Sequence, residues 1–528
     1  MGSTFMGLET SKRGLTTQQS ALYTTGHNIS NANTVGYSRQ RVNMEATLGY
    51  PGTGLNAPKI PGHLGTGVQA QSVQRIRDTF VDNQYRQESN KLGYWDSRSQ
   101  AITQMEDVLN EPSEYGLAKS MDEFWKSLQD LSVNPENGGA RSVVVQRGIA
   151  VADSFNYLSK SISQIQENAG KEIGISLKDV NSIIEQISSI NEQIKAIEPN
   201  GYMPNDLYDA RDTLLDELST YFPIETSNVK SGGNALAIAE GSVTVSIKIN
   251  DGPPIEIING KDFKQFRTSP ALTTESGGDG ITPTGPVKGL SLVNVDADGK
   301  DSPPTDIISI ISLNDSGKIK SLVNSYGYDT GDTTNPVKGL YSDMLAKLDK
   351  MANAFAKEFN VLHAGGTDLN GEEGGLFFVK EGTSSETGIT AANINVSKDI
   401  IDEPNNLAAS SSDPGEAEPG NGKQALILAN MKFVSLDDLG KVSAQTYFQG
   451  LIGQLGVDGQ QAQRLAFNSA TLQQAVTERR ASVSSVSLDE EMTNMIIFQQ
   501  AYNASARMIT VVDETLDKII NGMGRVGL

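Results

Sequence analysis

Apolar residues return every seven positions at both ends of the chain. Near the start, Leu8, Leu15, Leu22 and Ile29 stand in a polar setting of Thr, Gln and Ser, which predicts a helix with one narrow apolar seam. Gly7 and Gly14 weaken that helix further. At the other end Leu488, Met495, Tyr502, Ile509, Leu516 and Met523 keep the same repeat, with Met492, Ile496 and Ile520 widening the stripe and Ser487 to Glu490 having the form of a capping box. Seams this thin bury too little surface to offset the cost of ordering an isolated helix, so each terminal segment needs a helical partner. The nearest partner is the other terminus, and the periodicity alone is satisfied equally by an intramolecular bundle and by a role in assembly.

Between the ends, the longest helical rhythm runs from Val151 through Phe155, Leu158, Ile162, Ile165 and Ala169 to Ile173, and on through Val180, Ile183, Ile187, Ile190 and Ile194 to Ile197. Two consecutive steps of four, Ile165 to Ala169 to Ile173, form a stutter, and Gly170 and Gly174 beside it predict an irregularity or kink in a rod-like helix. Pro199, Asn200 and Gly201 end it, and a second helix carries Leu207, Arg211, Leu214, Leu215 and Leu218 up to Pro223. Residues 224–336 turn to Gly, Pro, Asp, Thr and Ser with short alternations such as Val243, Val245, Ile247 and Ile249, the pattern of an inserted β domain. Helical spacing returns with Leu345, Leu348, Ala352, Phe355, Phe359 and Leu362. After a turn-rich stretch at 365–422 it returns again with Ala444, Phe448, Leu451, Ala462, Leu465, Leu472 and Val476.

The fold class read from this nesting is mainly α with inserted β. Terminal coiled-coil helices occupy 1–40 and 487–528, a long-helix rod domain 41–223, 337–364 and 423–486, an outward β-rich domain 224–336, and a small turn- and β-rich subdomain or excursion 365–422.

Composition narrows the function. The chain has 528 residues, 64 Asp plus Glu against 43 Lys plus Arg and a formal charge of −21, so a phosphate-tracking surface, and with it nucleic acid as partner, is excluded. With no Cys there is no disulfide, thiolate metal site or Cys nucleophile. No run approaches the roughly 18 apolar residues of a membrane span, and the first thirty residues lack the order of a cleavable signal peptide.

Candidate chemistry is sparse. His27, His63 and His363 have no second ligand three or four residues away and fit polar or capping roles. Gly62, Gly65 and Gly67 match a phosphate loop only in glycine content and predict a plain loop. Asn294, Asp296, Asp298 and Gly299 imitate the first half of a calcium loop, but Thr305 stands where the bidentate Glu belongs, so an acidic hairpin turn is the expectation and no metal or cofactor is assigned. No spacing singles out a catalytic acid and base or a nucleophile elbow.

The segment Asn28-Ile29-Ser30-Asn31-Ala32-Asn33-Thr34-Val35-Gly36-Tyr37-Ser38-Arg39-Gln40 reads on its own as a helix stop, with Asn and Ser competing for backbone bonds, Gly36 allowing a left-handed turn and Tyr37 anchoring the exit. Paired with a heptad helix at the extreme C-terminus, it closely resembles the axial proteins of the bacterial flagellum. The continuation Gly36-Tyr37-Ser38-Arg39-Gln40 is most similar to the family of the first hook-associated proteins, found at the junction of hook and filament. Asn205 to Asp212, Phe359 to Gly371 with Phe377 and Phe378, and Ser487 to Ala506 agree with that family, whereas 224–336 has no residue-by-residue match.

The resemblance implies a structural protein without catalysis or cofactor. In such proteins the terminal helices form a coiled coil in the inner tube, a helical domain packs around it and β domains face outward. Leu8, Leu15, Leu22, Ile29, Asn31, Asn33, Gly36, Tyr37, Leu488, Met495, Tyr502, Ile509, Leu516 and Met523 are then the assembly and interaction residues. The implied partners are further copies in a ring, the hook protein, the third hook-associated protein and the filament, and a cytoplasmic export chaperone at the C-terminal helix. The implied location is the extracellular flagellum, reached through type III export without a cleaved signal and without membrane insertion. Other readings are a third hook-associated protein, hook protein or flagellin-like chain, or a secreted adhesin or glycan hydrolase carried on flagellar ends.

Overall fold

The computed structural model describes residues 5–52, 62, 64–109, 116–250, 252–270, 280–295, 301–303, 306–333 and 336–522. Helix α1, Phe5–Ser30, leads into a hairpin of β1, Gln40–Ala46, and β2, Val68–Arg75. Four helices follow: α2, Thr79–Leu109; α3, Leu117–Val133; α4, Gly138–Ile197; and α5, Asn205–Tyr221. The next segment holds β3, Ile224–Val229, β4, Ser242–Ile247, β5, Ile255–Asn259, and β6, Asp262–Phe263, as one antiparallel meander. A second antiparallel sheet contains β7, Gln265–Ser269, β8, Gly289–Val293, and β9, Asp306–Ser309. Helix α6, Lys318–Tyr326, and a short ladder of β10, Tyr328–Asp329, with β11, Val337–Lys338, bring the chain to α7, Leu340–Ala364. Strands β12, Phe378–Lys380, and β13, Ile394–Val396, pair before α8, Lys398–Asp402, α9, Lys423–Asn430, α10, Ala444–Ser484, and α11, Leu488–Gly522.

Helix α4 is the spine. Asn137 caps it, its side-chain oxygen accepting from the N–H groups of Gly139 and Ala140 at 2.8 and 3.2 Å. It then runs 60 residues as one continuous α-helix, unbroken at Gly170 and Gly174. The two halves of α4 serve two cores. Val151, Phe155, Leu158, Ile162 and Ala169 pack with an aromatic cluster of Phe124, Phe355, Phe359, Phe377 and Phe378 contributed by α3, α7, β12 and the residue just before it. Ile173, Leu177, Val180, Ile184 and Ile187 pack with Leu215, Leu218 and Phe222 and with the strands of both sheets. The stutter between Ala169 and Ile173 marks the handover from one core to the other.

At that handover the glycines admit close neighbours. A Cβ on Gly170 would lie 2.9 Å from the ring of Tyr326, and one on Gly174 would lie 2.5 Å from Oγ1 of Thr282. Alanine in a free helix gains about 0.5–1 kcal/mol over glycine, but overpacking costs about 1–3 kcal/mol. Gly170→Ala should therefore lower the urea-unfolding free energy by about 1 kcal/mol net. A gain in stability would mean that Tyr326 yields freely.

Amide side chains on α4 finish the strand edges. Asn191 exchanges two 3.0 Å bonds with the backbone of Val243, and Asn181 accepts from the N–H of Phe266 at 2.7 Å while donating to its carbonyl at 3.1 Å. Each buried amide satisfies groups that a sheet edge would leave bare. The hairpin β1–β2 within 41–223 and helix α6 within 224–336 go beyond the sequence reading. The alternation of Val42, Met44 and Ala46 with Arg41, Asn43 and Glu45 in β1 is a period-two signal that the sequence reading passes over, though the apolar residues of that face are not fully buried and Arg75 is the one fully buried residue of β2.

The two thin-seamed helices lie against each other. Gly7 faces Val512, with a Cβ built there 3.6 Å from the valine, and Gly14 faces Ser505 at 3.1 Å. Moving seven residues forward on α1 moves seven residues back on α11, so the pair is antiparallel. Among the described residues α11 buries only Glu491. None of the helices among the described residues is long and apolar enough to cross a membrane.

Candidate assembly site at the base of the terminal helices

The site begins where α1 stops. Asn28 on its last turn is buried and uses its whole amide. Its Oδ1 accepts from the hydroxyl of Tyr37 at 2.8 Å and from the N–H of Gln40 at 3.0 Å. Its Nδ2 donates to the carbonyl of Gln40 at 2.8 Å and to Oε2 of Glu491 at 3.1 Å. The intervening loop folds back through Thr34 N–H to Asn31 O at 2.9 Å and Tyr37 N–H to Thr34 O at 3.2 Å. Gly36 sits at φ +82, and a Cβ there would lie 2.2 Å from Oγ1 of Thr213 on α5, so glycine is required on two counts. The Tyr37 hydroxyl also stands 3.0 Å from Nδ1 of His27. Burial and the charges of Asp206, Asp209 and Glu491 push the phenol up, keeping it a proton donor.

Beyond the turn the chain is seated on α5. Ser38 donates through N and Oγ to Asp209 at 3.0 and 2.7 Å, and Gln40 Nε2 donates to Asp206 at 3.0 Å. Arg39 reaches the other way, to α11, with Nε on Glu491 at 2.8 Å and Nη1 on Glu490 at 2.7 Å, while its N–H donates to the carbonyl of Ser484. One stretch of three residues thus joins α1, α5, the end of α10 and the start of α11.

Beneath this seat lies a buried ionic hub. Asp209, Asp212 and Asp216 fall on one face of α5 at helical spacing. Arg75 binds Asp209 at 2.7 Å and Asp212 at 2.9 Å, and also pairs with Glu240. Arg77 binds Asp82 at 2.8 Å and Asp212 at 3.1 Å, and Arg86 binds Asp216 at 2.8 Å and Asp212 at 3.2 Å. Arg480, from α10, closes the ring on Asp82 at 2.8 Å and Asp216 at 2.6 Å. The ring of Tyr208 lies under both Arg75 and Arg211, 5.0 and 5.3 Å from its centroid, and its hydroxyl donates to the buried Glu198. Burial alone would raise the Asp212 carboxyl. The guanidinium groups of Arg77, Arg75, Arg86 and Arg211 overcome it and hold that carboxyl well below the usual range.

The sequence-predicted residues divide. Gly36 and Tyr37 are part of the seat. Asn31 lies outside it, donating to the carbonyl of His27 at 3.1 Å, and Asn33 is exposed. Leu8, Leu15, Leu22 and Ile29 are half-buried, whereas the fully buried residues of α1 are the small or polar Thr17, Ala21, Thr25 and Asn28. Met495, Tyr502, Ile509 and Leu516 are half-buried and Leu488 is exposed; Met523 lies outside the described residues. His63, Asp296, Asp298, Gly299 and Thr305 lie outside them too. Among the described residues no group of three or more His, Asp or Glu is placed to hold a metal ion. Sequence reasoning missed Asn28, Ser38, Arg39, Gln40 and Glu491 as a unit, and it missed the hub. The acidic stripe of α5 was available as a signal, but its cations come from four other places in the chain.

Known proteins share this architecture. The family model described as the flagellar hook-associated protein FlgK helical domain matches residues 102–378. Models of the flagella basal body rod protein and of the flagellar basal body rod FlgEFG protein C-terminal match 8–37 and 479–522, the two ends that meet here. Flagellar hook-associated protein 1 of Bacillus subtilis (strain 168) is 44% identical over 99% of both chains, and that of Escherichia coli (strain K12) is 25% identical over 96% of this chain and 98% of the relative. The solved flagellar hook junction protein FlgK from Burkholderia pseudomallei superposes with a TM-score of 0.58 at 13% identity, covering 76% of this chain and all of that one, a likeness of fold. With a family model spanning its central half and a relative of this identity aligned from end to end, the chain belongs to the flagellar hook-associated protein 1 family.

Proposed function

We propose that this chain is a structural subunit of the bacterial flagellum that joins the hook to the filament, self-assembling through α1 and α11. The observation that carries the reading is the bareness of α11. This helix of 35 residues buries one residue among those described, and it exposes Leu488, Met492, Ile496, Ile497, Met508, Val511, Ile519 and Ile520. Apolar surface of that extent on a two-helix stem calls for further helices, and copies of the same stem supply them in a tube. The seat on α5 fixes the angle at which the stem leaves the body, which every subunit of a ring must share.

On this reading the terminal segments 1–40 and 487–528 form the inner domain; 41–223, 337–364 and 423–486 form the rod; and 224–336 and 365–422 face outward. The ring meets the hook protein on one side and the third hook-associated protein, then filament, on the other. A cytoplasmic chaperone covers the C-terminal helix before export, which proceeds without a cleaved signal. The mechanism is mechanical, resting on surfaces, and needs no catalytic group. Identity to the Bacillus relative extends across the insert, which supports a shared structural role over an adhesin or hydrolase mounted on flagellar ends.

Cells deprived of the chain should carry bare hooks and shed flagellin into the medium, scored by electron microscopy and by assay of the supernatant. Intact filaments on such cells would sink the reading.

A further inference from the structure

The seams of α1 and α11 repeat every seven residues, so they do not by themselves choose one alignment. Sliding the pair by seven sets apolar position against apolar position again. It also sacrifices no length in one direction. With Gly7 facing Val512 and Asn28 facing Glu491, α11 continues past its contact with the start of α1 to Gly522, room for a full heptad of slip. After that slip Asn28 would face Phe498 and Gly14 would face Val512.

Two carboxylates at the start of α11 oppose the slip: Glu490, which holds Arg39 Nη1 but is 61% exposed and so adds little, and Glu491. Glu491 is 2% exposed on an otherwise open helix, and its two oxygens are taken by Asn28 Nδ2 and Arg39 Nε. Slipped, the carboxylate would leave the buried Asn28 amide and the partly buried Arg39 guanidinium without it. A single buried polar contact is an established means of fixing register between helices whose apolar seams are degenerate.

We propose that the Asn28–Glu491–Arg39 contact is the register key of the terminal stem: it selects one of two heptad-related antiparallel alignments. Its value to a ring rests on the reading of α1 and α11 as the assembly helices, since neighbouring stems mesh only if every stem shows the same face at the same height. The specificity resides in Glu491, and the apolar seam supplies adhesion without choice.

The chain has no cysteine of its own, which makes register directly readable. A Cβ on Gly14 lies 3.9 Å from Cβ of Ser505, within the about 3.5–4.5 Å that a disulfide needs. In the purified full chain, Gly14→Cys with Ser505→Cys reports the native alignment, and Gly14→Cys with Val512→Cys reports the slipped one. Under mild oxidation the first pair should link and the second should not. Adding Glu491→Leu should lower the ratio of first to second product about tenfold or more, the scale of one lost charge-assisted bond. Glu491→Gln, which keeps an acceptor for one of the two donors and turns its amide N–H toward the other, should lower the ratio in the same direction but less than Glu491→Leu does. The proposal is overturned if the first pair does not link in the otherwise unchanged chain, or if Glu491→Leu leaves the ratio as it was. It is equally overturned if Glu491→Leu abolishes both products, since the residue would then hold the pair without choosing its register. The junction reading fails on a different result, filaments in the absence of the chain, so the two can fall separately.

Discussion

Asp212→Asn should cost about 3–5 kcal/mol in urea or thermal unfolding of the helical body, the loss expected when one partner is removed from a buried ionic cluster. The side chain is 13% exposed and accepts from Arg75, Arg77 and Arg86 at 2.9, 3.1 and 3.2 Å. An asparagine keeps the shape, withdraws the charge and turns an N–H donor toward guanidinium donors. Three buried cations would then share the remaining carboxylates of Asp82, Asp209, Asp216 and Glu240. The damage should spread to the seat, because Asp209, which Arg75 holds, is also the acceptor for Ser38. Faster amide exchange over residues 36–40 is the second expected readout. Asp206→Asn is the control, its side chain being 69% exposed, and should change stability by less than about 0.5 kcal/mol.

The pH dependence of the hub follows from the sign of the Asp212 shift. Its folded pKa lies below the unfolded value, so its stabilisation is complete above the ordinary carboxylate range and is lost only as pH falls through the lower, folded value. The hub should outlast ordinary surface carboxylate pairs in mild acid. Equal stability of the parent and Asp212→Asn at neutral pH would show that the hub is not under load.

Particular residues show what the sequence could reveal. The heptads at both ends announced two helices in need of partners, because a seam is a local pattern that each helix writes in its own residues. The alternation of Val243, Val245 and Ile247 announced β4, whose three apolar side chains are all buried. The rhythm of α4 was legible from Val151 to Ile197, while Gly138 to Ala150 lay outside it. Gly170 and Gly174 suggest a kink when only the helix is in view, and their second role, as clearances for Tyr326 and Thr282 more than a hundred residues away, has no local signal. The hub was hidden for the same reason. Asp209, Asp212 and Asp216 form a readable stripe, but Arg75, Arg77, Arg86 and Arg480 come from β2, the following turn, α2 and α10, and no local pattern relates them. Asn28 stands in a readable motif, but its four hydrogen bonds, three of them to residues held in β1 and α11, give the motif its physical meaning.

His363 shows how an unremarkable residue in sequence becomes an acid-sensitive one in the fold. It closes α7 fully buried. Nδ1 lies 2.7 Å from the carbonyl of Gly375, and Nε2 accepts the N–H of Ala408 at 2.9 Å. That assignment requires the neutral ring with its proton on Nδ1. Protonation of Nε2 would set two donors against each other and place a charge beside Arg141, which already satisfies itself on the carbonyls of Pro135, Asn405 and Leu407. Burial pushes the imidazole down to about 4, with Arg141 adding to the effect and the bond to Gly375 opposing it. The folded value lies below the unfolded value of roughly 6.5, so the contribution is complete above the unfolded pKa and declines as pH falls between the two. About 3 kcal/mol of stability should vanish across that window, the upper part of which lies above the ordinary carboxylate range. The elements affected are those His363 ties together, the end of α7 and the strand-bearing loop from 365 to 422. His363→Gln should be less stable than the parent at pH 7 and should show a flatter stability profile between pH 6.5 and about 4. Parallel profiles of parent and variant, measured by urea unfolding across the window, would mean that the ring takes up its proton in the folded chain as readily as in the unfolded one.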